Sequence, residues 1–338
     1  MQQQAPLPTP EIIFDTLNSY QRTASLKGAI ELDIFTAIGQ GKRTVKTLAE
    51  HCRASERGMR ILCDYLVVNG FLNKSGSEYS LNPVSAAFLD RRAPTCLASI
   101  SEFITSSHLT EGFKDVAAIV RKGGTVISQE GSIAPDHPMW ALFARSMAPM
   151  MAPTAEAIAQ LIGAEVGQPW KVLDIAAGHG LFGIAIAKKN PKSAIVALDW
   201  AQVLTVAQEN ARAAGVGDRY HLLAGSAFEV EYGDGYDIVL LTNFFHHFDA
   251  TTCESLMRKV HGALKAGGRA VTLEFVPNED RVSPAVPATF AMMMLGVTPA
   301  GDAYTFSEYD RMFQKAGFSR SEIHPLATSP ESVIVSQK

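Results

Sequence analysis

Residues 170–180, with the sequence WKVLDIAAGHG, decide the fold of this chain of 338 residues. An apolar strand ends at Asp174, and a turn of small residues that includes Gly178 and Gly180 opens a predicted helix over residues 181–189. Glycine lets backbone N–H groups and a helix N-terminus come close to a ligand, and a carboxylate at the strand end can accept hydrogen bonds. The stretch therefore predicts a binding site for a nucleotide-like ligand.

The same glycines also fit a second class of nucleotide-binding enzyme. Gly178, Gly180 and Gly183 have the spacing of the dinucleotide fingerprint, and Asp199 follows about 20 residues later, where an acidic residue binds a ribose. The glycine pattern alone therefore leaves an NAD-dependent oxidoreductase open.

The sequence after the turn alternates strands and helices. A second strand ends at Asp199, whose carboxylate is placed to bind two vicinal ribose hydroxyls, and the third and fourth strands end near Gly225 and Thr242. A fifth strand covers residues 269–276, and two further extended segments close the chain. This series predicts an α/β fold with a doubly wound, Rossmann-like sheet of seven strands and a terminal antiparallel hairpin.

The N-terminal part has a different pattern. Residues 11–37 are strongly helical, and their apolar side chains are spread widely around the helices, which predicts burial against another subunit. Two helices at 44–51 and 55–66 and a hairpin at 70–81 predict a winged helix-turn-helix. A winged helix is also found in DNA-binding regulators, so a regulator that senses a small ligand stays open as a second function.

Composition narrows the possible partners. The formal net charge of -4 gives no reason to expect nucleic acid as the main partner. We expect a cytoplasmic protein with no membrane partner, because there is no signal-like N-terminus and no segment approaches about 18 uninterrupted apolar residues. The 4 cysteines are far apart and lack a Cys-x-x-Cys pair, so neither a metal site nor a disulfide framework is expected.

A set of motifs in one order resembles the class I S-adenosylmethionine-dependent methyltransferases, specifically the small-molecule O-methyltransferases that include plant caffeic acid and bacterial antibiotic-pathway enzymes. The motifs are LD at 173–174, GHG at 178–180, Asp199 after the second strand, NFFHHF at 243–248 and LKAGG at 264–268. Each motif alone is common, but their order and spacing are specific. The resemblance covers nearly the whole chain.

This resemblance implies S-adenosylmethionine as the cofactor and a hydroxyl of a small aromatic metabolite as the methyl acceptor. It implies a winged-helix dimerisation domain over residues 1–97 and a homodimer. It also implies a methyltransferase domain over residues 98–338, in which residues 98–160 form a helical segment that lines the substrate. A methyltransferase of the same fold that acts on carbon or nitrogen stays open as an alternative function.

The resemblance also implies binding residues. Cofactor-binding positions fall on Asp174, Gly178, Gly180, Asp199, Trp200, Gly225, Ser226, Phe228 and Thr242. Met147 and Met294 match methionines that sandwich the substrate, and we expect Phe143 and His247 to be further acceptor contacts. The chain departs from the family pattern at Ala176, where glycine is usual, and at Ser226, where aspartate is usual.

Methyl transfer to a hydroxyl also needs a group that takes the proton. His246 stands just beyond the fourth strand, at the sheet edge where open α/β folds bind ligands, and an imidazole with an unperturbed pKa of about 6.5 can accept a phenolic proton near neutrality. Glu274, at the end of the fifth strand, matches a family carboxylate that braces the histidine, whereas a second family glutamate falls on Ala303. We therefore expect His246 as the general base and Glu274 as its support.

Overall fold

The computed structural model describes residues 9–134, 137–327 and 329–338, and the chain divides into two compact units. The first unit ends at Ser101 and the second begins at Glu102. Among the described residues, none of the helices combines the length and the apolar character that crossing a membrane would need. No group of three or more His, Cys, Asp or Glu side chains in this described part is arranged to hold a metal ion.

The first unit is mostly helical and carries one antiparallel hairpin. Its elements are α1 (Glu11–Glu31), α2 (Ile34–Gly39), α3 (Val45–Cys52), α4 (Glu56–Val68), β1 (Leu72–Ser75), β2 (Glu78–Leu81) and α5 (Pro83–Phe88), with α6 (Ile100–Ile104) at the boundary between the units. The predicted helical stretch 11–37 is two helices, because Asp33 has a left-handed backbone with φ of 56°. Thr44 and Ser55 cap α3 and α4 with their hydroxyl groups, which explains where these helices begin.

The second unit contains the large sheet and its helices. Its further elements are α7 (Ser107–Thr110), α8 (Val116–Lys122), α9 (Met139–Leu161), β3 (Lys171–Ile175), α10 (Leu181–Lys189), β4 (Ala194–Asp199), α11 (Ala201–Ala213), β5 (Tyr220–Ala224), β6 (Tyr236–Thr242), α12 (Ala250–Ala263), β7 (Leu264–Glu274), α13 (Ala285–Val297), α14 (Phe306–Lys315), β8 (Arg320–Pro325) and β9 (Ser332–Gln337). A short 3-10 turn, Phe245–His247, follows β6.

The seven strands lie in the order β5-β4-β3-β6-β7-β9-β8, which confirms the predicted fold. The first five are parallel, and β9 pairs antiparallel with β7 and with β8, so the last two strands form the predicted hairpin. The strand β7 begins at Leu264, earlier than predicted, because Leu264 pairs with Tyr236 across a shift in register. Strand order reverses between β3 and β6, and open sheets of this kind bind ligands beside such a reversal.

The turn after β3 brings the start of α10 close to neighbouring elements. Gly178 and Gly180 have positive φ values of 57° and 76°, which glycine adopts without strain. A Cβ atom at Gly180 would lie 2.5 Å from the Tyr220 hydroxyl and 3.0 Å from the Cβ of Ala207. Gly180 therefore permits close packing of the turn against β5 and α11.

We predict that Gly180→Ala lowers the free energy of unfolding by about 2–4 kcal/mol, because it adds a buried clash to the cost of a left-handed alanine. Gly215→Ala is the matched control: its φ is 72°, but a Cβ there meets nothing within 4 Å. The control should lose only about 1 kcal/mol. Urea unfolding of both variants measures the difference, and equal losses would contradict the packing role of Gly180.

Candidate active site

A cavity of about 610 Å³ lies in the second unit, where β3, β4, β5 and β6 end. It occupies the crevice beside the reversal of strand order. Nine of the predicted binding residues line it: Phe143, Gly178, Asp199, Trp200, Gly225, Ser226, Phe228, Thr242 and His247. The fold thus brings residues from both ends of the second unit's sequence to one place.

Six predicted site residues lie outside this lining: Asp174, Gly180, Met147, Met294, His246 and Glu274. Gly180 faces Tyr220 and Ala207 instead of the cavity. Met294 packs in an apolar cluster whose partly buried members include the cavity residue Trp140. Met147 and Met294 lie on α9 and α13, so whether they reach the cavity depends on how these helices pack.

Asp199 ends β4 and points at the glycine turn. Its Oδ2 accepts a hydrogen bond of 2.8 Å from the Gly178 N–H, and its Oδ1 accepts one of 2.7 Å from the Trp200 N–H. Burial raises the pKa of Asp199 to about 6, while these two N–H groups act to lower it. The carboxylate is therefore charged at neutral pH and held in a fixed orientation at the cavity wall.

Asp174 lies beneath the glycine turn and is fully buried. Its Oδ2 accepts a hydrogen bond of 3.1 Å from the Gly183 N–H, and its Oδ1 has no hydrogen-bond partner in the described structure. Burial is the main reason that the pKa of Asp174 rises to about 8, and the charge of Asp199 adds to it. This carboxyl group holds the start of α10 and carries a proton at neutral pH.

The walls of the cavity are largely aromatic. The Trp140 ring meets the Phe143 ring edge to face at 6.0 Å and the His247 ring at 5.1 Å. Phe248 makes edge-to-face contacts of 5.0 Å with Phe228 and 5.1 Å with Phe244. Such walls suit a flat ligand. Trp140 lies in the segment 98–160 that was predicted to line the substrate, whereas no binding role was predicted for Phe244 and Phe248 of the NFFHHF motif.

The described lining carries four carboxylates and neither lysine nor arginine. The acidic residues are Glu130, Asp199, Glu229 and Asp249. Asp249 also caps α12 through a 2.8 Å bond from the Thr252 N–H. This balance of charge, together with aromatic rings, favours a ligand with positive charge over an anion.

Behind this cavity, Glu274 binds the turn that carries the two histidines. Its Oε1 accepts hydrogen bonds from the N–H groups of Phe244 at 3.0 Å, Phe245 at 2.8 Å and His246 at 3.4 Å. Its Oε2 lies 2.6 Å from Nδ1 of His246. Four donors around one carboxylate favour its charged form, although burial acts in the opposite direction and raises the pKa of Glu274.

His246 is 4% exposed, and burial lowers its pKa, so the ring is neutral at neutral pH. With Glu274 in its charged form, Oε2 accepts a hydrogen bond from Nδ1 of His246, and Nε2 then keeps a free lone pair. The neighbouring His247 ring lies 4.2 Å away, and it is His247 that lines the cavity. Burial also lowers the pKa of His247, whose Nδ1 has no partner in the described structure.

Comparisons with known proteins give the family of this chain. The model of the O-methyltransferase domain matches residues 113–319. The model of the O-methyltransferase dimerisation domain matches residues 14–91. The first match alone covers more than half of the chain.

Similar proteins span nearly the full length. The crystal structure of a provisionally named O-methyltransferase from Nostoc punctiforme is 53% identical, with a TM-score of 0.96, and the match covers 98% of this chain and 100% of that one. The 3-hydroxy-5-methyl-1-naphthoate 3-O-methyltransferase of Streptomyces sahachiroi is 24% identical over 92% of this chain and 90% of its own. Human N-acetylserotonin methyltransferase, solved in complex with S-adenosylmethionine, has the same fold at 18% identity and a TM-score of 0.83, with 100% of this chain and 99% of that one covered.

We predict that Glu274→Gln moves the ring proton of His246 from Nδ1 to Nε2. The glutamine oxygen would keep the three backbone N–H donors, so its NH₂ group would face Nδ1 and donate to it. Nitrogen-15 NMR of histidine-labelled protein distinguishes the two tautomers, and a His246→Asn variant assigns the resonance. A His246 ring that stays protonated at Nδ1 in Glu274→Gln would contradict the orientation described above.

Proposed function

Because this chain belongs to the O-methyltransferase family, we propose that it methylates a hydroxyl group of a small aromatic metabolite, with His246 as the general base. The chain is an S-adenosylmethionine-dependent O-methyltransferase that acts on small metabolites. The family assignment removes the NAD-dependent oxidoreductase from consideration. The pairing of His246 with Glu274 beside an aromatic cavity is the observation that carries the proposal.

The cavity fits the cofactor. Bound there, S-adenosylmethionine supplies an electrophilic methyl group on a sulfonium. A Cβ at Gly178 would meet only two atoms, both about 4 Å away, so the backbone of the turn is open to a ligand. The four carboxylates of the lining match the sulfonium and ammonium charges of the cofactor. We assign Asp199 to the ribose hydroxyls and Ser226 and Phe228 to the adenine end of the cavity.

The acceptor is aromatic in this proposal because the other end of the cavity is built from rings. Trp140, Phe143 and His247 stand together there, and edge-to-face contacts hold them in place. Met147 and Met294 lie outside the lining but are buried nearby, in the helices α9 and α13. Methionine adapts to irregular apolar shapes, so these two side chains support the acceptor from behind the rings.

His246 takes the proton of the acceptor hydroxyl. Its neutral Nε2 is the acceptor atom, since Nδ1 donates to Glu274. The charge of Glu274 then stabilises the imidazolium that forms. His247 contacts the acceptor as a polar wall residue, because it lines the cavity but no carboxylate orients its ring.

We predict that His246→Gln lowers kcat by about 10²–10⁴, because base assistance acts only during the chemical step. The assay follows methyl transfer to catechol and 1-naphthol by mass spectrometry. Raising the pH should partly restore the rate of the variant, since an ionised phenol needs no base. Failure of the wild-type enzyme to methylate any phenol would remove the aromatic acceptor from the proposal.

Two control variants separate catalysis from binding. Asp199→Ala should weaken S-adenosylhomocysteine binding in calorimetry, by about 1.5–3 kcal/mol for each lost hydrogen bond to the carboxylate, whereas His246→Gln should bind it normally. His247→Ala should mainly raise the KM of the acceptor. A wild-type rate of methyl transfer in His246→Gln at neutral pH would contradict the assignment of His246 as the general base.

We also propose that the enzyme is a homodimer held by its N-terminal unit. The dimerisation-domain match includes most of α1, and this helix exposes a row of apolar side chains: Ile12, Ile13, Phe14, Leu17 and Tyr20. Leu17 is 67% exposed and Ile12 is 76% exposed, which is unusual for apolar residues on one helix. A second copy of the chain would cover this face of α1. Dimerisation then explains the winged-helix segment without DNA binding.

The double substitution Ile13→Asp and Leu17→Asp should give a monomer in analytical ultracentrifugation at micromolar concentration, because it places charges in an apolar interface. Leu222→Asp, on the edge strand β5 of the second unit, is the control and should leave the dimer intact. A dimer that survives the double substitution would refute the role of α1.

A further inference from the structure

The loop between β5 and β6 forms one wall of the cavity. It covers residues 225–235, because β5 ends at Ala224 and β6 begins at Tyr236. Its first five residues line the cavity: Gly225, Ser226, Ala227, Phe228 and Glu229. Ser226 stands here where the family pattern has aspartate, so this wall has a shorter, uncharged side chain to offer a ligand. The shape of the loop backbone therefore matters for what binds against it.

The loop closes into a tight turn through its own hydrogen bonds. The carbonyl of Ser226 accepts bonds from the N–H groups of Glu229 and Val230, each at 3.0 Å. A Cβ atom at Gly225 would lie 2.5 Å from Cγ1 of Val230, so the turn closes tightly against a glycine. The carbonyl groups that follow Ser226 point out of such a turn without a partner inside it, as they do at the C-terminal end of a helix.

Lys259, a half-buried residue of α12, binds these carbonyl groups. Its Nζ donates to the carbonyl oxygens of Ala227 at 3.1 Å, Phe228 at 3.0 Å and Val230 at 2.7 Å. An ammonium group has three N–H donors, so these bonds use its full capacity. The Nζ also lies 4.3 Å from the centre of the Tyr232 ring, and the Tyr232 hydroxyl donates to the carbonyl of Ala227. One cation thus joins the cavity loop to the helix behind it.

The charge of Lys259 suits this position. Burial lowers the pKa of Lys259, and the carboxylates of Glu231 and Glu229 act to raise it. Carbonyl dipoles that converge on one point favour a cation there, and hydrogen bonds from a charged donor are stronger than those between neutral groups. Without the ammonium, three carbonyl oxygens would converge with no donor between them. We expect the loop then to open toward water, because an unsatisfied polar group is costly inside a protein.

We propose that Lys259 is a positioning residue that holds the cavity wall 225–229 in the shape that binds the adenine end of the cofactor. Lys259 lies outside the lining of the cavity, so it acts through the loop and not by contact with the ligand. A wall that already has its binding shape avoids the entropy cost of being ordered when the cofactor arrives. This inference rests on the proposed function in one respect, since that proposal assigns Ser226 and Phe228 to adenine.

The first test measures cofactor affinity without turnover. Lys259→Met keeps the aliphatic stem of the side chain and removes its three donors. If the loop then has its binding shape about one tenth of the time, the Kd of S-adenosylhomocysteine rises about tenfold. Calorimetry on the full chain measures this change. An unchanged Kd in Lys259→Met would overturn the proposal.

Lys171 offers a matched control at the other end of the same loop. Its Nζ donates to the carbonyl of Asp234 at 2.7 Å and lies 4.3 Å from the centre of the Tyr236 ring. Lys171→Met therefore loses contacts of the same kind away from the cavity lining, and it should bind S-adenosylhomocysteine as wild type does. Lys259→Arg should recover most of the affinity, because guanidinium N–H groups can also donate to carbonyl groups. Equal losses in Lys171→Met and Lys259→Met would show a general effect on stability and would overturn the proposal.

The second test uses hydrogen exchange to locate the change in the loop. Without ligand, amides of residues 225–231 should exchange about tenfold faster in Lys259→Met than in wild type, while the turn at residues 245–247 keeps its wild-type rates. If Lys259→Met does not fold, Lys259→Gln replaces it, since an amide keeps a donor for these carbonyl groups and should give an intermediate change. Wild-type exchange in the loop of the folded variant would contradict the proposal.

The third test separates cofactor binding from chemistry by steady-state kinetics with catechol. In Lys259→Met the KM of S-adenosylmethionine should rise about tenfold, whereas kcat and the KM of catechol should stay within about twofold of wild type. A fall in kcat with no change in the KM of S-adenosylmethionine would overturn the proposal. If no phenol is methylated, the proposed acceptor fails, while calorimetry and hydrogen exchange still decide the role of Lys259. A wild-type protein that does not bind S-adenosylhomocysteine would overturn the cofactor assignment of the cavity and this inference with it.

Discussion

The turn that carries the two histidines depends on the carboxylate of Glu274. Glu274 ends β7 in the middle of the sheet, and it binds three consecutive backbone N–H groups of the turn that follows β6. These bonds satisfy backbone donors that would otherwise be buried without partners. They also set the direction of the His246 ring. One side chain thus joins two strands, orders a turn and orients the proposed base.

The same contact determines the electrostatics of the region. A buried carboxylate without partners would take up a proton, and four donors allow Glu274 to remain charged. Hydrogen-bond donors also set the charge of the two carboxyl groups near the glycine turn, Asp174 and Asp199. Asp199 has two N–H donors at the cavity, whereas Asp174 has one donor and lies fully inside.

The sequence predicts a feature most reliably when one strand or one turn contains all the residues that form it. The alternation of strands and helices predicted the sheet, and Gly178 and Asp199, two of the predicted binding residues, line the cavity. The sequence does not show how the helices pack against one another. Met147 and Met294 match a family pattern but lie outside the cavity lining, whereas α9 presents Phe143, which was also predicted, and Trp140 to the cavity.

The sequence by itself determined the fold, because hydrophobic periodicity is a local property of the chain, and the order of its motifs carried the resemblance to the O-methyltransferases. The family resemblance predicts that Glu274 braces His246 and not His247, but only the tertiary structure decided that His247 lines the cavity while His246 lies outside its lining. Neighbouring residues in a tight turn point in different directions, and the choice is made by a carboxylate 28 residues further along the chain. The tertiary structure also decided that four carboxylates line one cavity whose described lining has neither lysine nor arginine. Charge balance in a buried cluster depends on distances between strands, and these distances exist only in the folded protein.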